Sequence, residues 1–216
     1  MKELIARIQK SFRLEEKPAG EFSSLKVGPM KFSTRHWDGG LLGNVSFMEA
    51  KGMMGLMRME TLVINPVRID MPLLSLDLVV AMGKVTMIAE LYDTTIGGFD
   101  QKSMIKVKES LSSLSDRPAA KAWYDDIRLG CSVGKQGKKN DLEAVEKGFS
   151  DFIGAYLEAA AGCREITEKT ELEKKRACAN AYTDGLLEHG GPSTDVFVKK
   201  LGREKTAEFF HKVLFG

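Results

Sequence analysis

Asp77 is the residue of this chain best placed to do chemistry. It sits in Leu73-Leu74-Ser75-Leu76-Asp77-Leu78-Val79-Val80, with apolar residues on both sides. Successive side chains of a strand point to opposite faces. Asp77 therefore shares a face with Ser75 and Val79, while Leu74, Leu76 and Leu78 take the other. A carboxylate on a largely buried strand is costly unless it is paired or takes up a proton. An acid that holds its proton near neutral pH is a proton donor. The competing reading is an acid at a strand edge that hydrogen-bonds a neighbouring loop. Glu49 and Glu60 fall on the strands predicted just before it, so the three acids can converge on one sheet face. Register decides between that convergence and a solvent-side position for Glu49 and Glu60.

The elements that must position these acids form a strand-rich first half and a helical second half. Met1 to Phe12 reads as a helix with Leu4, Ile5, Ile8 and Phe12 on one stripe. Strands follow at Ser24–Phe32, Asn44–Ala50, Leu56–Ile64, Leu73–Ala81 and Val85–Tyr92. Between them lie the breakers Gly39-Gly40, Gly52, Asn65-Pro66 and Gly83, and Gly97-Gly98 follows the last strand. The last two strands join at Met82-Gly83-Lys84 as a hairpin, and short links throughout imply an antiparallel meander. Lys102–Leu114 reads as a helix, Trp123–Val133 as one more strand and Gly134–Lys139 as a loop. Asn140 and Glu143 have N-cap spacing for a long helix. That helix puts Leu142, Val145, Phe149, Phe152, Ile153, Tyr156, Leu157 and Ala160 on one stripe. Two more helices span roughly Glu165–Glu188 and Arg203–Leu214. Helices packed on one sheet predict an α+β sandwich, with residues 1–216 forming a single domain.

Composition places limits on function. The 216 residues are 43% hydrophobic and 29% charged, with a net charge of +2, too near neutral for nucleic acid as a general partner. No apolar run approaches a membrane span, and the charged N-terminal stretch is unlike a signal peptide. Cys131, Cys163 and Cys178 have no metal-ligand spacing and suggest no disulfide framework, which points to a reducing, cytoplasmic setting. The histidines His36, His189 and His211 have no ligand spacing either, so no bound metal is expected. Dinucleotide, P-loop, nucleophile-elbow and zinc-protease signatures are absent. The run Gly52-Met53-Met54-Gly55-Leu56-Met57-Arg58-Met59 suits either a pocket for a flat ligand or core filling beside a turn. Lysines cluster at Lys135, Lys138 and Lys139, and again at Lys169, Lys174, Lys175 and Arg176. Each cluster reads as a solvated face or as a docking patch for an acidic protein.

Three stretches carry a family resemblance. Ser46-Phe47-Met48-Glu49-Ala50 resembles a glutamate-bearing strand of the pattern L-x-L-E-L-A. Asp70-Met71-Pro72-Leu73-Leu74-Ser75-Leu76-Asp77-Leu78-Val79 is similar to D-L-P-L-F-G-x-D-L-V. The layout from Trp123 to Val133 and the ending from Leu201 to Phe215 are also similar. Together they resemble the ferredoxin-dependent bilin reductases, which share a fold with red chlorophyll catabolite reductase. The resemblance spans most of the chain, although its specific part is short. Two departures stand out. Arg58-Met59-Glu60-Thr61-Leu62-Val63 lacks the histidine that some members carry on this strand, and Ser75-Leu76 replaces a family glycine.

The resemblance implies an α/β/α sandwich with a central antiparallel sheet and helices on both faces. It implies a linear tetrapyrrole such as biliverdin, bound between the sheet and the C-terminal helices. Reduction would proceed by a radical mechanism, with no bound cofactor. Electrons would come singly from reduced ferredoxin or a flavodoxin-like donor. It assigns Asp77 as the central proton donor and maps further acids to Glu49 and Asp195. Arg58, Lys51, Arg68 and Arg128 are candidate cations for the propionates, and Met57 is a candidate pocket residue. A tetrapyrrole-binding protein of the same fold without activity is the alternative. A third reading is an interaction protein whose sheet acids are surface residues.

Overall fold

The computed structural model describes residues 1–52, 55–118 and 121–216, so Met53 and Met54 of the methionine run lie outside the described residues. Among the described residues, nine strands form one antiparallel sheet. They are β1 (Glu15–Lys17), β2 (Ser24–Val27), β3 (Met30–Asp38), β4 (Asn44–Gly52), β5 (Met57–Asn65), β6 (Leu73–Ala81), β7 (Lys84–Tyr92), β8 (Ser115–Asp116) and β9 (Val133–Lys138). The order is β1-β3-β4-β5-β6-β7-β9-β8, with β2 paired to β3 beside β1. From β3 to β7 the chain is a meander, as the short connections require. The β6–β7 connection is a two-residue turn, Met82-Gly83, with φ of 49° and 76°. Two positive φ angles in succession fit the mirror-image turn whose twist matches a hairpin.

The helices are α1 (Lys2–Ser11), α2 (Lys102–Ser110), α3 (Leu142–Ala161), α4 (Lys169–His189), α5 (Pro192–Leu201) and α6 (Arg203–Phe209). A π-helical turn, Phe210–Leu214, follows α6. One sheet face packs on α1 and α3. Leu74, Leu76, Leu78, Val85, Met87 and Ala89 are fully buried there with Ile8, Phe149, Phe152 and Tyr156. The other face meets the C-terminal helices through Phe32, Met48, Ala50, Val63 and Leu73, against Tyr182, Phe197, Phe209 and Phe210. The fold is thus α+β, with a central antiparallel sheet and helices on both faces.

The last turn carries carbonyls that no further helical turn can satisfy. The sheet supplies their donors. Asn44 Nδ2 donates to Val213 O at 3.0 Å, Ser46 Oγ to Leu214 O at 2.7 Å and Asn65 Nδ2 to Phe215 O at 2.8 Å.

Several sequence expectations give way to pairing. The expected strand Ser24–Phe32 is the hairpin of β2 and β3, turning at Gly28-Pro29. Trp123–Val133 is a short 3-10 turn, Trp123–Asp126, followed by loop, and the expected loop Gly134–Lys139 is strand β9. The glycines and lysines of β9 are tolerated because it is short and its outer neighbour β8 covers only Lys135 and Gln136. Asn140 and Glu143 do not form the N-cap pair. Asp141 stands at the N-cap of α3 without a side-chain cap bond; its carboxylate instead accepts from the Lys138 amide at 2.7 Å and closes the short 3-10 turn Lys139–Asp141. Helix α5 lies in a stretch where no helix is expected. Among the described residues, no helix is long and apolar enough to cross a membrane.

The two lysine clusters are not uniform solvated faces. Lys135 donates to Asp116 at 2.7 Å and to Leu114 O at 3.2 Å. Lys175 is fully buried on α4, and its ammonium bonds Met71 O at 2.6 Å, Thr94 O at 2.8 Å and Thr94 Oγ1 at 3.2 Å. It ties α4 to the start of β6 and the end of β7. Burial pushes its pKa down to about 8.

Candidate functional site

Register alone sorts the predicted site residues between the two faces. Glu49 pairs with Glu60, and Glu60 with Leu78, so all three point to the α1–α3 side. Met48 pairs with Thr61, Thr61 with Asp77 and Asp77 with Ile88, which places these on the opposite side. The expected convergence of three acids therefore holds only for Glu49 and Glu60.

Glu49, Lys51 and Arg58 do not share a site with Asp77. They line a separate cavity of about 470 Å³ beneath α1. Glu49 is bridged by Lys51 at 2.8 Å and Lys2 at 3.4 Å, and these cations hold its carboxyl below the usual range. It is thus an ionised partner in an ion pair, which is the opposite of what a proton donor needs. Buried Glu60 is bridged by Arg58 at 2.7 Å and by the Met1 amino group at 2.9 Å. Arg68 is exposed on the loop before β6, with its carbonyl bonded to the Ile166 amide. Asp195 is exposed in the first turn of α5 and accepts from the Gly191 amide at 3.3 Å, so it caps its own helix. Met57 lies on the Asp77 face, at the far end of β5.

Around Asp77 the sheet is incompletely covered. Met59, Ser75, Val79, Thr86, Ile88 and Glu90 are only half-buried, although they belong to central strands whose opposite face is fully buried. Asp77 keeps limited access to solvent while protein surrounds it on most sides. Thr61 Oγ1 donates to its Oδ1 at 2.5 Å and Ser75 Oγ to its Oδ2 at 3.2 Å. Burial is the dominant effect and raises the pKa of Asp77 to about 6. The Thr61 hydrogen bond opposes it, the like charge of Glu90 adds to it, and Ser75 and Arg117 oppose it further. Burial thus shifts Asp77 in the direction that the strand pattern anticipates, on a half-buried stretch of the sheet.

A cluster of aromatic rings packs on this side of the sheet, next to Glu90. Tyr92 and Tyr182 lie 4.3 Å apart between centroids, Tyr92 and Tyr124 5.3 Å, Trp123 and Tyr182 5.9 Å, and Trp123 and His189 5.2 Å. Trp123 Nε1 is buried and, among the described residues, has no hydrogen-bond partner. Gly185 of α4 makes room for that indole, since a Cβ there would lie 2.3 Å from the Trp123 ring. Gly185→Ala is expected to displace Trp123 and cost about 1–3 kcal/mol despite better helix propensity. Tryptophan fluorescence and urea denaturation measure the two effects. An unmoved emission spectrum with unchanged stability would contradict this packing.

A cavity of about 410 Å³ adjoins the Asp77 face, lined by Glu90, Lys108, Arg117, Asp125, Arg128 and Lys135. Glu90 and Arg117 are the site residues that motif reading missed. The hairpin held the signal. A two-residue turn pairs Ala81 with Lys84, and counting back then sets Glu90 opposite Ser75.

Fold and site together define an α/β/α sandwich with a half-buried acid, Asp77, on the sheet face that packs against the C-terminal helices. No protein-family model and no curated protein matches the sequence. Among solved structures, the chain is similar to phytochromobilin synthase from tomato, crystallised in complex with biliverdin. The TM-score is 0.81 at 13% identity, over 99% of this chain and 82% of that one. The likeness establishes a shared fold over almost the whole chain.

Proposed function

We propose that this chain reduces a linear tetrapyrrole, taking single electrons from reduced ferredoxin or a flavodoxin-like donor and protons from Asp77. The observation that carries the reading is the placement of Asp77: an acid with a pKa of about 6, on a half-buried patch of the sheet, on the face that carries Tyr92 and packs against Tyr182. Adding an electron to a conjugated tetrapyrrole makes the resulting radical more basic. A positioned acid traps each reduced state by protonating it. Each reduced double bond then accounts for two electrons from the donor and two protons from the acid or from solvent through it. In this reading the electrons arrive from outside and the chain itself needs no resident cofactor.

The flat ring system would rest on the sheet patch against Tyr92, Trp123 and Tyr182. Of the cations expected for its propionates, Arg128 is the one placed to serve. Arg58 and Lys51 face away and Arg68 is exposed on the loop before β6, whereas Arg128 lines the cavity beside Glu90 together with Arg117. Exposed Lys138, Lys139, Lys169, Lys174 and Arg176 would steer an acidic donor, with an effect that salt weakens.

One observation favours a binding protein without activity. The side chain bonded to Asp77 from β5 is the hydroxyl of Thr61, which cannot relay a proton as an imidazole would. An anaerobic absorbance assay separates the readings: biliverdin is added first, then reduced ferredoxin. A shifted band that changes progressively on reduction supports the reductase. A shifted band that stays static favours the binding protein. No shift at all removes the tetrapyrrole from both readings.

A further inference from the structure

A second carboxylate beside Asp77 has no task in the mechanism above. Ser75, which donates to Asp77, is the cross-strand partner of Glu90, so Glu90 lies one diagonal step from Asp77 on the same face. Glu90 is 14% exposed and firmly held. Tyr92 OH donates to its Oε2 at 2.5 Å and Arg128 NH1 to its Oε1 at 3.1 Å. Arg128 also reaches Asp125 at 2.7 Å, so one guanidinium serves two carboxylates.

The groups that face this pair come from four sides. β7 gives Glu90 and Tyr92. The segment after β8 gives Arg117. The turn before β9 and the loop after it give Tyr124, Asp125 and Arg128, and α4 gives Tyr182. Thr61 and Ser75 add only hydroxyls. Glu90 and Asp125 balance Arg117 and Arg128 when Asp77 is neutral. An ionised Asp77 leaves an uncompensated negative charge in a partly desolvated site, which is the state such a site disfavours.

We infer that Glu90 is a positioning residue: its fixed charge, moderated by Arg128, keeps the proton on Asp77 until the substrate takes it. The use of that proton rests on the reductase reading above. The coupling between the two carboxylates rests on the geometry alone and is measurable without a ligand. The charge of Glu90 acts in the same direction as burial, which fits the raised pKa of Asp77.

The test is a carboxyl ¹³C titration of the full chain by NMR, with the Asp77 resonance assigned by its loss in Asp77→Asn. Glu90→Gln removes the like charge and is expected to lower the Asp77 midpoint by about half a unit or more. Arg128→Gln exposes the Glu90 charge and is expected to raise it. Opposite shifts are a signature that a merely structural role for the two residues does not produce. Midpoints that stay put, or that move in the same direction, overturn the inference. Should Arg128→Gln fail to fold, Glu90→Gln and Glu90→Ala decide the matter, since both must lower the midpoint. A missing biliverdin band shift in wild-type protein would count against the tetrapyrrole reading while leaving the titration result intact.

Discussion

Asp77→Asn is expected to lower the rate of tetrapyrrole reduction by about 10²- to 10⁴-fold while leaving the ligand-bound spectrum intact, the range typical of losing a positioned proton donor. Asparagine keeps the size of the side chain, and its amide carbonyl still accepts from Thr61 or Ser75. The binding surface therefore survives and only the transferable proton is lost. Electrons would still enter from the donor, so the one-electron-reduced radical should accumulate under single-turnover conditions. Wild-type turnover should itself fall as pH rises through the ionisation of Asp77, with an apparent midpoint at or above about 6, because a bound ligand excludes further water from the acid. Anaerobic stopped-flow spectra of the two proteins decide this. A variant that reduces biliverdin at the wild-type rate would remove Asp77 from the mechanism.

The same substitution is expected to stabilise the protein near neutral pH, by up to about 3 kcal/mol. The pKa of Asp77 lies near 6 in the folded chain, against an ordinary value of 3.8. Between those values the native state binds more protons than the unfolded state, so the contribution of Asp77 to stability falls as pH rises through that window. Below it, the acid is protonated in both states and the difference between wild type and variant disappears. Urea denaturation at about pH 3 and about pH 7.5 reads both limits. An equal stability difference at the two pH values would mean that Asp77 is not destabilised by burial. A gain in stability together with a loss of turnover is what a strained functional acid predicts.

Much of the frame was legible because it is local. The alternation Leu74, Leu76, Leu78 against Ser75, Asp77, Val79 is set by the pleat of one strand, and the structure buries the first set while half-exposing the second. The α3 stripe from Leu142 to Ala160 is likewise a property of one helix, and every residue predicted on it is buried except Leu142 in the first turn, which is half-buried. The segment from Trp123 to Lys138 read wrongly for the converse reason. Its pairing partners on β7 are distant in sequence, and their company makes a strand of Val133–Lys138 despite two glycines and two lysines.

By itself, the sequence determined which residues share a face within each strand and helix, the α+β order of elements, and Asp77 as an acid forced to choose between a partner and a proton. It could not relate one strand to the next. A shift of a single residue exchanges the faces of a whole strand, so placing Glu49 with or against Asp77 depended on registers that only the paired sheet defines. The tertiary structure sent Glu49, Lys51 and Arg58 to the α1 side and left Asp195 capping its own helix. It brought Glu90, Arg117, Arg128 and Tyr182 to Asp77 from three later parts of the chain. Proton affinity arises from that assembly, because burial and neighbouring charge are properties of surroundings that no stretch of sequence carries alone.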